Sequence, residues 1–394
     1  MDVTLSPCKL KGHINAISSK SFAHRMIISA ALCSEPTHII LNTFSEDINA
    51  TLKCIEALGA GVKHVNDGII ITPVNRTSPP ENPVLNCCES GSTARFIIPV
   101  ASTFCPEFTA TGSGRLPERP FSPLIYQMNL HGVTADSDKL PIHCRGILEP
   151  GKYELVGDIS SQYITGLMLA LPQCRGNSEI VLTSPLESSA YVDITAEVLS
   201  TFGITVEKNK SGYAITSSDY VSPKETAVEG DWSNAAFWLA ADMLCGGVTV
   251  DGLNPDSVQG DKAFSDVAGS DIIDAREIPD LVPILAVVAC AKHGRTQIIN
   301  AQRLRLKESD RIKTVCSVLS SLGADISETE DGLVIVGHGS LKGGICNGFN
   351  DHRIVMSCAI ASLICENSVT VHGAEAVNKS YPNFFHDFQS LKIN

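Results

Sequence analysis

Residues 26–41 read Met-Ile-Ile-Ser-Ala-Ala-Leu-Cys-Ser-Glu-Pro-Thr-His-Ile-Ile-Leu. The apolar, Ala-rich first half predicts a buried helix, the Ser-Glu-Pro triplet predicts a turn, and the β-branched end predicts a strand. The same plan of helix, turn and strand recurs along the chain. The segments that follow it are Met26–Leu41, Phe96–Thr111, Thr165–Leu182, Ala235–Val250, Leu281–Ile299 and Ile354–Val371.

A second type of helix lies between these segments. It is amphipathic and ends at a glycine before a strand, as expected of a helix stop. The pairs that mark these ends are Leu58-Gly59, His131-Gly132, Phe202-Gly203 and Leu322-Gly323. The interval from Val250 to Leu281 has no such helix, so one of six units is predicted to be shortened. Repetition of this kind predicts two pseudo-threefold domains; the alternative is an ordinary α/β sheet whose repeats are accidental.

Length and composition limit the possible functions. A chain of 394 residues predicts two domains. A net charge of −13 argues against nucleic acid or a membrane surface as a partner. The 14 cysteines form no Cys-X-X-Cys pair, and no apolar run is long enough to be a signal or a membrane span. We therefore expect a cytoplasmic protein with cysteines as small core residues and no metal site.

Polar motifs occur where three of the apolar helices are predicted to begin. They are Ser18–Arg25, Glu89–Arg95 and Ser160–Gln162. Hydroxyl and amide side chains cap helix starts, whose free N–H groups and positive dipole attract anions. In a pseudo-threefold domain these starts would converge on one face and form an anion site. The simpler interpretation of each motif is a helix cap with solvated cations.

Four further motifs contain cations, carboxylates or prolines in short stretches. Lys307-Glu-Ser-Asp-Arg311 has two cations that would share one face if the stretch were helical. Arg119 lies between two prolines, Asp280 follows Ile-Pro, and Asp351-His-Arg353 follows Asn350. Because the protein is acidic overall, an anion site must be built from such local cations. The alternatives are surface salt bridges and, for Asp280, a helix N-cap.

Together these motifs resemble the 5-enolpyruvylshikimate-3-phosphate synthase family, in the same order over nearly the whole chain. They are Ser19-Lys20-Ser21 with Arg25, Ser90–Arg95, Leu116–Pro120, Ser160–Gln162, Ile278–Asp280, Lys307–Arg311, Asn350–Arg353 and Lys379–Pro382. The resemblance implies the α/β (α+β) enolpyruvyl transferase fold, with two domains that are each a pseudo-threefold assembly of βαβαββ units. It implies an N-terminal domain of residues 14–228, and a C-terminal domain of residues 1–13 and 229–394 with one shortened unit.

The family reaction transfers the carboxyvinyl group of phosphoenolpyruvate to the 5-hydroxyl of shikimate 3-phosphate. The hydroxyl adds to C2 while C3 is protonated, and the tetrahedral intermediate then loses phosphate and a methyl proton. This step of the shikimate pathway leads toward chorismate and aromatic amino acids. The resemblance implies a cytoplasmic monomer that needs no metal or organic cofactor. Both substrates are polyanions, which accounts for cationic clusters in an acidic protein.

Site residues follow from the matching motifs. The resemblance assigns proton transfer to Asp280 as base, Glu308 as acid and Lys20 as an assisting group. The residues expected to bind shikimate 3-phosphate are Lys20, Ser21, Arg25, Ser160, Ser161, Gln162, Ser188, Asp280 and Lys307. The residues expected to bind phosphoenolpyruvate are Lys20, Gly91, Arg119, Gln162, Arg311, Arg353 and Lys379.

Two other functions remain open at this stage. The sister enzyme that transfers enolpyruvate to UDP-N-acetylglucosamine shares the fold, but its opening motif is Lys-Asn where this chain has Lys20-Ser21. An inactive anion-binding protein on the same fold would have no use for Asp280 and Glu308. The chain also departs from the family pattern at Glu89, where Asn is common beside the expected phosphoenolpyruvate loop, and at Arg303, which replaces another common polar ligand.

Overall fold

The computed structural model describes residues 1–393 and divides into two compact units. The continuous unit is Lys20–Val228, and the discontinuous unit is Met1–Ser19 with Glu229–Asn394. The first division therefore falls after Ser19, whereas the resemblance placed a boundary after residue 13. Ser19 belongs with the later segment because its N–H donates to the carbonyl of Glu229 at 2.8 Å.

The α-helices of residues 1–393 are mostly short, and none of them is long and apolar enough to cross a membrane. They are α1 Lys20–Leu32, α2 Glu46–Ala57, α3 Gly91–Ala101, α4 Ser122–Leu130, α5 Ser161–Ala170, α6 Ser189–Thr201, α7 Trp232–Cys245, α8 Phe264–Val267, α9 Val282–Ala291, α10 Arg311–Ser321, α11 His352–Ala361 and α12 Phe384–Leu391.

The strands are two to six residues long and alternate with these helices. They are β1 Asp2–Leu5, β2 Lys9–Leu10, β3 Gly12–Asn15, β4 Thr37–Ile40, β5 Gly61–Val65, β6 Gly68–Thr72, β7 Val84–Asn86, β8 Glu107–Thr111, β9 Val133–Ala135, β10 Ile142–Gly146, β11 Lys152–Leu155, β12 Ser178–Leu182, β13 Val206–Lys208, β14 Gly212–Ile215, β15 Glu225–Ala227, β16 Val248–Asp251, β17 Ile272–Asp274, β18 Gly294–Ile299, β19 Asp325–Glu328, β20 Leu333–Gly337, β21 Gly344–Asn347, β22 Val369–His372 and β23 Lys392–Ile393.

Three sheets with the same strand order form the continuous unit. Their orders are β15-β4-β6-β5, β7-β8-β10-β9 and β11-β12-β14-β13. In each sheet the first two strands are parallel and the others pair antiparallel. A helix connects β7 to β8 and β11 to β12, because parallel neighbours need a crossover connection. The predicted repeat is therefore confirmed in this unit.

The discontinuous unit repeats the plan with one reduced member. Its sheets are β17-β18-β20-β19, β1-β22-β21, the parallel pair β16-β3 and the short pair β2-β23. After β16 the chain passes through the 3₁₀ turn Gly260–Ala263 and α8 directly to β17, without an antiparallel hairpin. The prediction that the interval from Val250 to Leu281 is shortened is confirmed.

The apolar helices are buried on nearly all sides, and the amphipathic ones end at the predicted glycines. Gly166 on α5 allows close packing on α3, because a Cβ there would lie 2.1 Å from the carbonyl oxygen of Arg95. The terminal glycines all have positive φ, which lets the chain leave each helix. These angles are 96° at Gly59, 85° at Gly132, 77° at Gly203 and 93° at Gly323.

Candidate active site

Two helix starts of the continuous unit, those of α3 and α5, carry the predicted polar caps. The Ser90 hydroxyl accepts from the Thr93 N–H at 3.2 Å, and the Ser160 hydroxyl accepts from the Gln162 N–H at 3.3 Å. Gln162 joins the two helices, because its Nε2 donates to Ser92 Oγ at 2.9 Å and its Oε1 accepts from Arg95 Nη1 at 3.0 Å. The starts of α3 and α5 therefore meet, as the pseudo-threefold arrangement predicted.

Two guanidinium groups lie over the start of α3. A Cβ built at Gly91 would be 2.6 Å from Arg95 Nη1 and 2.7 Å from Arg119 Nη1. Only a glycine leaves room for both cations beside the first backbone N–H groups of this helix. Full positive charges next to a helix N-terminus make a binding site for an anion.

Helix α1 contributes two further cations to this unit, Lys20 and Arg25. It begins at Lys20, so these side chains lie in its first two turns and not before it. Lys20 Nζ donates to Asp47 Oδ2 at 2.6 Å. Arg25 is buried, and its Nε and Nη2 donate to the hydroxyls of Thr195 at 2.8 Å and Thr165 at 3.2 Å. Burial lowers the pKa of Arg25 to about 9.

The remaining predicted residues of this unit lie beside Arg25 and Gln162. The Ser21 carbonyl accepts from Arg25 Nη1 at 2.6 Å. Ser161 is the first residue of α5 and is buried. Ser188 precedes α6 in a left-handed conformation with φ 55°, and its carbonyl accepts from the N–H of Tyr191. Because the Tyr191 carbonyl accepts from Arg25 Nη2 at 2.9 Å, Ser188 lies close to this cation.

In the discontinuous unit, one arginine holds three carboxylates. Arg311 donates through Nη1 to Asp280 at 2.8 Å, through Nη2 to Glu308 at 2.6 Å, and through Nε to Asp351 at 2.9 Å. Its side chain is 2% exposed and that of Asp351 is 0% exposed. Burial opposes the charge of Arg311, but Asp351, Glu308 and Asp280 outweigh it and raise the pKa of this guanidinium above its ordinary value.

Asp280 also contacts three cations. We call this group of residues the Asp280 cluster; its members are Asp280, Lys307, Glu308, Arg311 and Arg353. Besides Arg311, Lys307 Nζ lies 3.5 Å from Asp280 Oδ1. Arg353 Nη2 lies 3.2 Å from its Oδ2, and Arg353 Nη1 donates to its carbonyl at 3.1 Å. The two carboxylates predicted as base and acid are thus held by one planar guanidinium, which fixes their relative position.

Two local expectations are wrong. The segment from Lys307 to Asp310 is not helical, because Asp310 is the N-cap of α10 and accepts from the Lys313 N–H at 3.2 Å. Lys307 and Arg311 still lie close together, because both contact Asp280 and not because they share a helix face. Asp280 is not an N-cap either: it lies in a 3₁₀ turn, Pro279–Leu281, and its carboxylate is directed at the cations.

Two residues of the quoted motifs complete the site. Asp351 is the N-cap of α11, since its Oδ1 accepts from the Arg353 N–H at 3.0 Å. Its second role, as the buried partner of Arg311, was not predicted. Lys379 donates to the Asn350 carbonyl at 2.6 Å, which places it at the start of α11. The available signal for Asp351 was its place within the Asn-Asp-His-Arg motif.

Known proteins share both the sequence and the fold. The family model for EPSP synthase (3-phosphoshikimate 1-carboxyvinyltransferase) matches residues 6–272 and 266–388. A 3-phosphoshikimate 1-carboxyvinyltransferase of Clostridium novyi (strain NT) is 40% identical over 424 aligned residues, which cover 99% of this chain and 97% of that protein. One from Clostridium kluyveri is 40% identical over 413 residues, with 99% and 97% covered.

The solved structure of an EPSP synthase from Acinetobacter baumannii superposes with a TM-score of 0.83. It is 23% identical and covers 100% of this chain and 98% of its own, so it supports the two-domain α/β fold predicted from the sequence. The family match covers far more than half of the residues, and the relatives are matched over almost their whole length. The chain therefore belongs to the EPSP synthase (3-phosphoshikimate 1-carboxyvinyltransferase) family.

Proposed function

We propose that this protein transfers the carboxyvinyl group of phosphoenolpyruvate to the 5-hydroxyl of shikimate 3-phosphate and releases phosphate. The observation that carries the proposal is the bridging of Asp280 and Glu308 by Arg311, at 2.8 and 2.6 Å. The reaction needs a base at the hydroxyl and an acid at C3 in a fixed relation, and the guanidinium supplies that relation.

Each carboxylate has one task in the addition step. Asp280 takes the proton of the 5-hydroxyl as its oxygen bonds to C2, and Glu308 gives a proton to C3, so that a methyl group forms. In the elimination step the C2–O bond to phosphate breaks and the methyl group loses a proton, which restores the double bond. Lys20 assists the proton transfers.

The other site residues bind the two anions. We assign shikimate 3-phosphate to the hydroxyl, amide and cationic groups near α1, α5 and α6, with Asp280 and Lys307: the set is Lys20, Ser21, Arg25, Ser160, Ser161, Gln162, Ser188, Asp280 and Lys307. We assign phosphoenolpyruvate to Lys20, Gly91, Arg119, Gln162, Arg311, Arg353 and Lys379. Arginine suits carboxylate and phosphate because its planar fork donates two parallel hydrogen bonds.

The test is phosphate release by the purified protein with shikimate 3-phosphate and phosphoenolpyruvate, each alone and together. We expect release only with both substrates. Asp280→Asn and Glu308→Gln should each lower kcat by about 100-fold or more, the usual contribution of a positioned acid or base. Glu330→Gln, an exposed carboxylate of the same unit, is the matched control. A well-folded wild type that releases no phosphate would exclude the proposal, and UDP-N-acetylglucosamine would be the next acceptor to try.

We further propose that the protein works as a monomer in the cytoplasm. The fourteen cysteines carry free thiols, which is typical of a reducing compartment. Several of these thiols are buried among apolar groups, and burial raises the pKa of Cys105 to about 11 and that of Cys290 to about 12. Light scattering of the purified protein tests the oligomeric state, and a molar mass above that of one chain would contradict it.

A further inference from the structure

A buried chain of hydrogen bonds joins three helices behind the start of α3. His24 on α1 lies 2.7 Å from Thr51 on α2, measured from Nδ1 to Oγ1. The Thr51 hydroxyl lies 2.7 Å from that of Thr93 on α3, and Thr93 Oγ1 lies 2.8 Å from Ser90 Oγ. None of these four residues is more than 1% exposed. The contacts therefore end at the N-cap of the helix that also carries Gly91.

The protons along this chain have a single order if every contact holds a hydrogen bond. The alignment of Thr93 with Ser90 makes Thr93 the donor of that bond, and the other acceptor near the Thr93 hydroxyl, the Asp47 carbonyl, is farther away at 3.4 Å. A hydroxyl has one proton, so the Thr51 hydroxyl must donate to Thr93. His24 must then donate to Thr51 through its Nδ1–H, which leaves Nε2 without a proton.

The surroundings of His24 agree with this order. Burial first, and then the charges of Lys20 and Arg25, lower the pKa of His24 well below its ordinary value, so the ring is neutral and has one N–H group. Its Nε2 is buried and has no hydrogen-bond partner among residues 1–393. A proton on Nε2 would therefore have no acceptor in this part of the chain, whereas a proton on Nδ1 has Thr51.

This order of protons makes the Ser90 hydroxyl a donor at the start of α3. Its oxygen accepts twice from Thr93, from the N–H at 3.2 Å and from the hydroxyl at 2.8 Å. Both lone pairs are then occupied, and the Ser90 proton is donated to no group among residues 1–393. The N–H groups of Gly91 and Ser92 likewise donate to no group of the described chain. Three donors thus lie at one helix start, beside the two guanidinium groups described above.

We propose that the Ser90 hydroxyl donates a hydrogen bond to an oxygen of the phosphoenolpyruvate bound at the start of α3. His24, Thr51 and Thr93 are positioning residues that fix the direction of this donation. The inference rests on the function proposed above and adds one neutral donor to the cations assigned there. Buried polar groups are nearly always paired, and a carboxylate or phosphate oxygen is a strong acceptor for a buried hydroxyl.

Ser90→Ala and Ser90→Gly separate a ligand contact from a helix cap. Both remove the hydroxyl, but alanine at an N-cap lowers helix stability far more than glycine does. We expect both variants to raise the KM for phosphoenolpyruvate about tenfold, the loss typical of a hydrogen bond to a charged group. The KM for shikimate 3-phosphate should stay within about twofold. A wild-type KM in Ser90→Gly would trace any loss in Ser90→Ala to the cap and would overturn the proposal.

Ser45→Ala is the matched control. Ser45 is the buried N-cap of α2, and its hydroxyl accepts from the Ile48 N–H at 3.3 Å. This substitution should lower the melting temperature as Ser90→Ala does, yet leave the KM for phosphoenolpyruvate within about twofold. An equal rise in that KM would overturn the proposal, since the loss of a cap would then explain both variants. Wild type without turnover would instead refute the proposed function itself.

Nitrogen-15 NMR of the histidine-labelled protein tests the order of protons without turnover. We expect a neutral His24 ring with its proton on Nδ1 from pH 5 to 8, and His24→Gln assigns the signals of this ring by their loss. A proton on Nε2 would overturn the proposal. In that case Thr51 would donate to His24 and Thr93 to Thr51, so that the Ser90 proton would be drawn toward Thr93 and away from the ligand.

Discussion

Arg311→Met gives the sharpest test of the site's construction, because it removes one cation from three carboxylates. The partner that matters most is Asp351, whose side chain is 0% exposed beside Arg311 at 2%. Removing one member of a buried ion pair leaves an uncompensated charge and costs about 3–5 kcal/mol. The free energy of unfolding of the discontinuous unit should therefore fall by about this amount, in addition to any loss of activity.

Arg305→Met is the matched control in the same unit. Arg305 Nη1 also contacts two carboxylates, those of Asp310 and Glu328, at 3.1 Å each, but its side chain is 31% exposed. Solvent screens such pairs, so the expected cost is about 0–1 kcal/mol. The two variants thus differ chiefly in whether the carboxylates that lose their cation are buried.

Urea unfolding followed by tryptophan fluorescence measures this difference. Both tryptophans of the chain, Trp232 and Trp238, lie on α7, so the signal reports the discontinuous unit. Arg311→Met should move the transition midpoint to lower urea much further than Arg305→Met does, with similar slopes. Equal shifts in the two variants would refute the claim that the buried cluster is held together by Arg311.

Two other predictions concern the continuous unit. Gly91→Ala should raise the KM for phosphoenolpyruvate about tenfold with little change in thermal stability, because the new Cβ displaces the flexible end of Arg119. Gly269→Ala is the control and should have no effect, since no atom lies within 4 Å of the added Cβ. Steady-state kinetics and melting curves measure both outcomes. The pKa of His38 is raised, chiefly by its hydrogen bond to Glu225. The contribution of His38 to stability is therefore present at low pH and is lost as the pH rises through its folded-state pKa. Glu225→Gln should lower that pKa in an NMR titration, and an unchanged value would contradict the assignment.

The sequence by itself determined the repeat and most of the boundaries between its helices and strands. Helix, turn and strand alternate with a local periodicity, and glycines such as Gly59 and Gly323 mark helix ends because few other residues adopt a positive φ. The shortened interval could be predicted for the same reason, because a segment that lacks the amphipathic helix also lacks its periodic apolar pattern. The identity of the cationic motifs also came from short, contiguous stretches.

Only the tertiary structure decided which charges meet. Asp280 and Arg353 are far apart in sequence, yet they lie 3.2 Å from each other, and no local pattern distinguishes an aspartate that caps a helix from one that receives three cations. The helical expectation for Lys307 failed because Asp310 takes the cap position, which depends on where α10 begins.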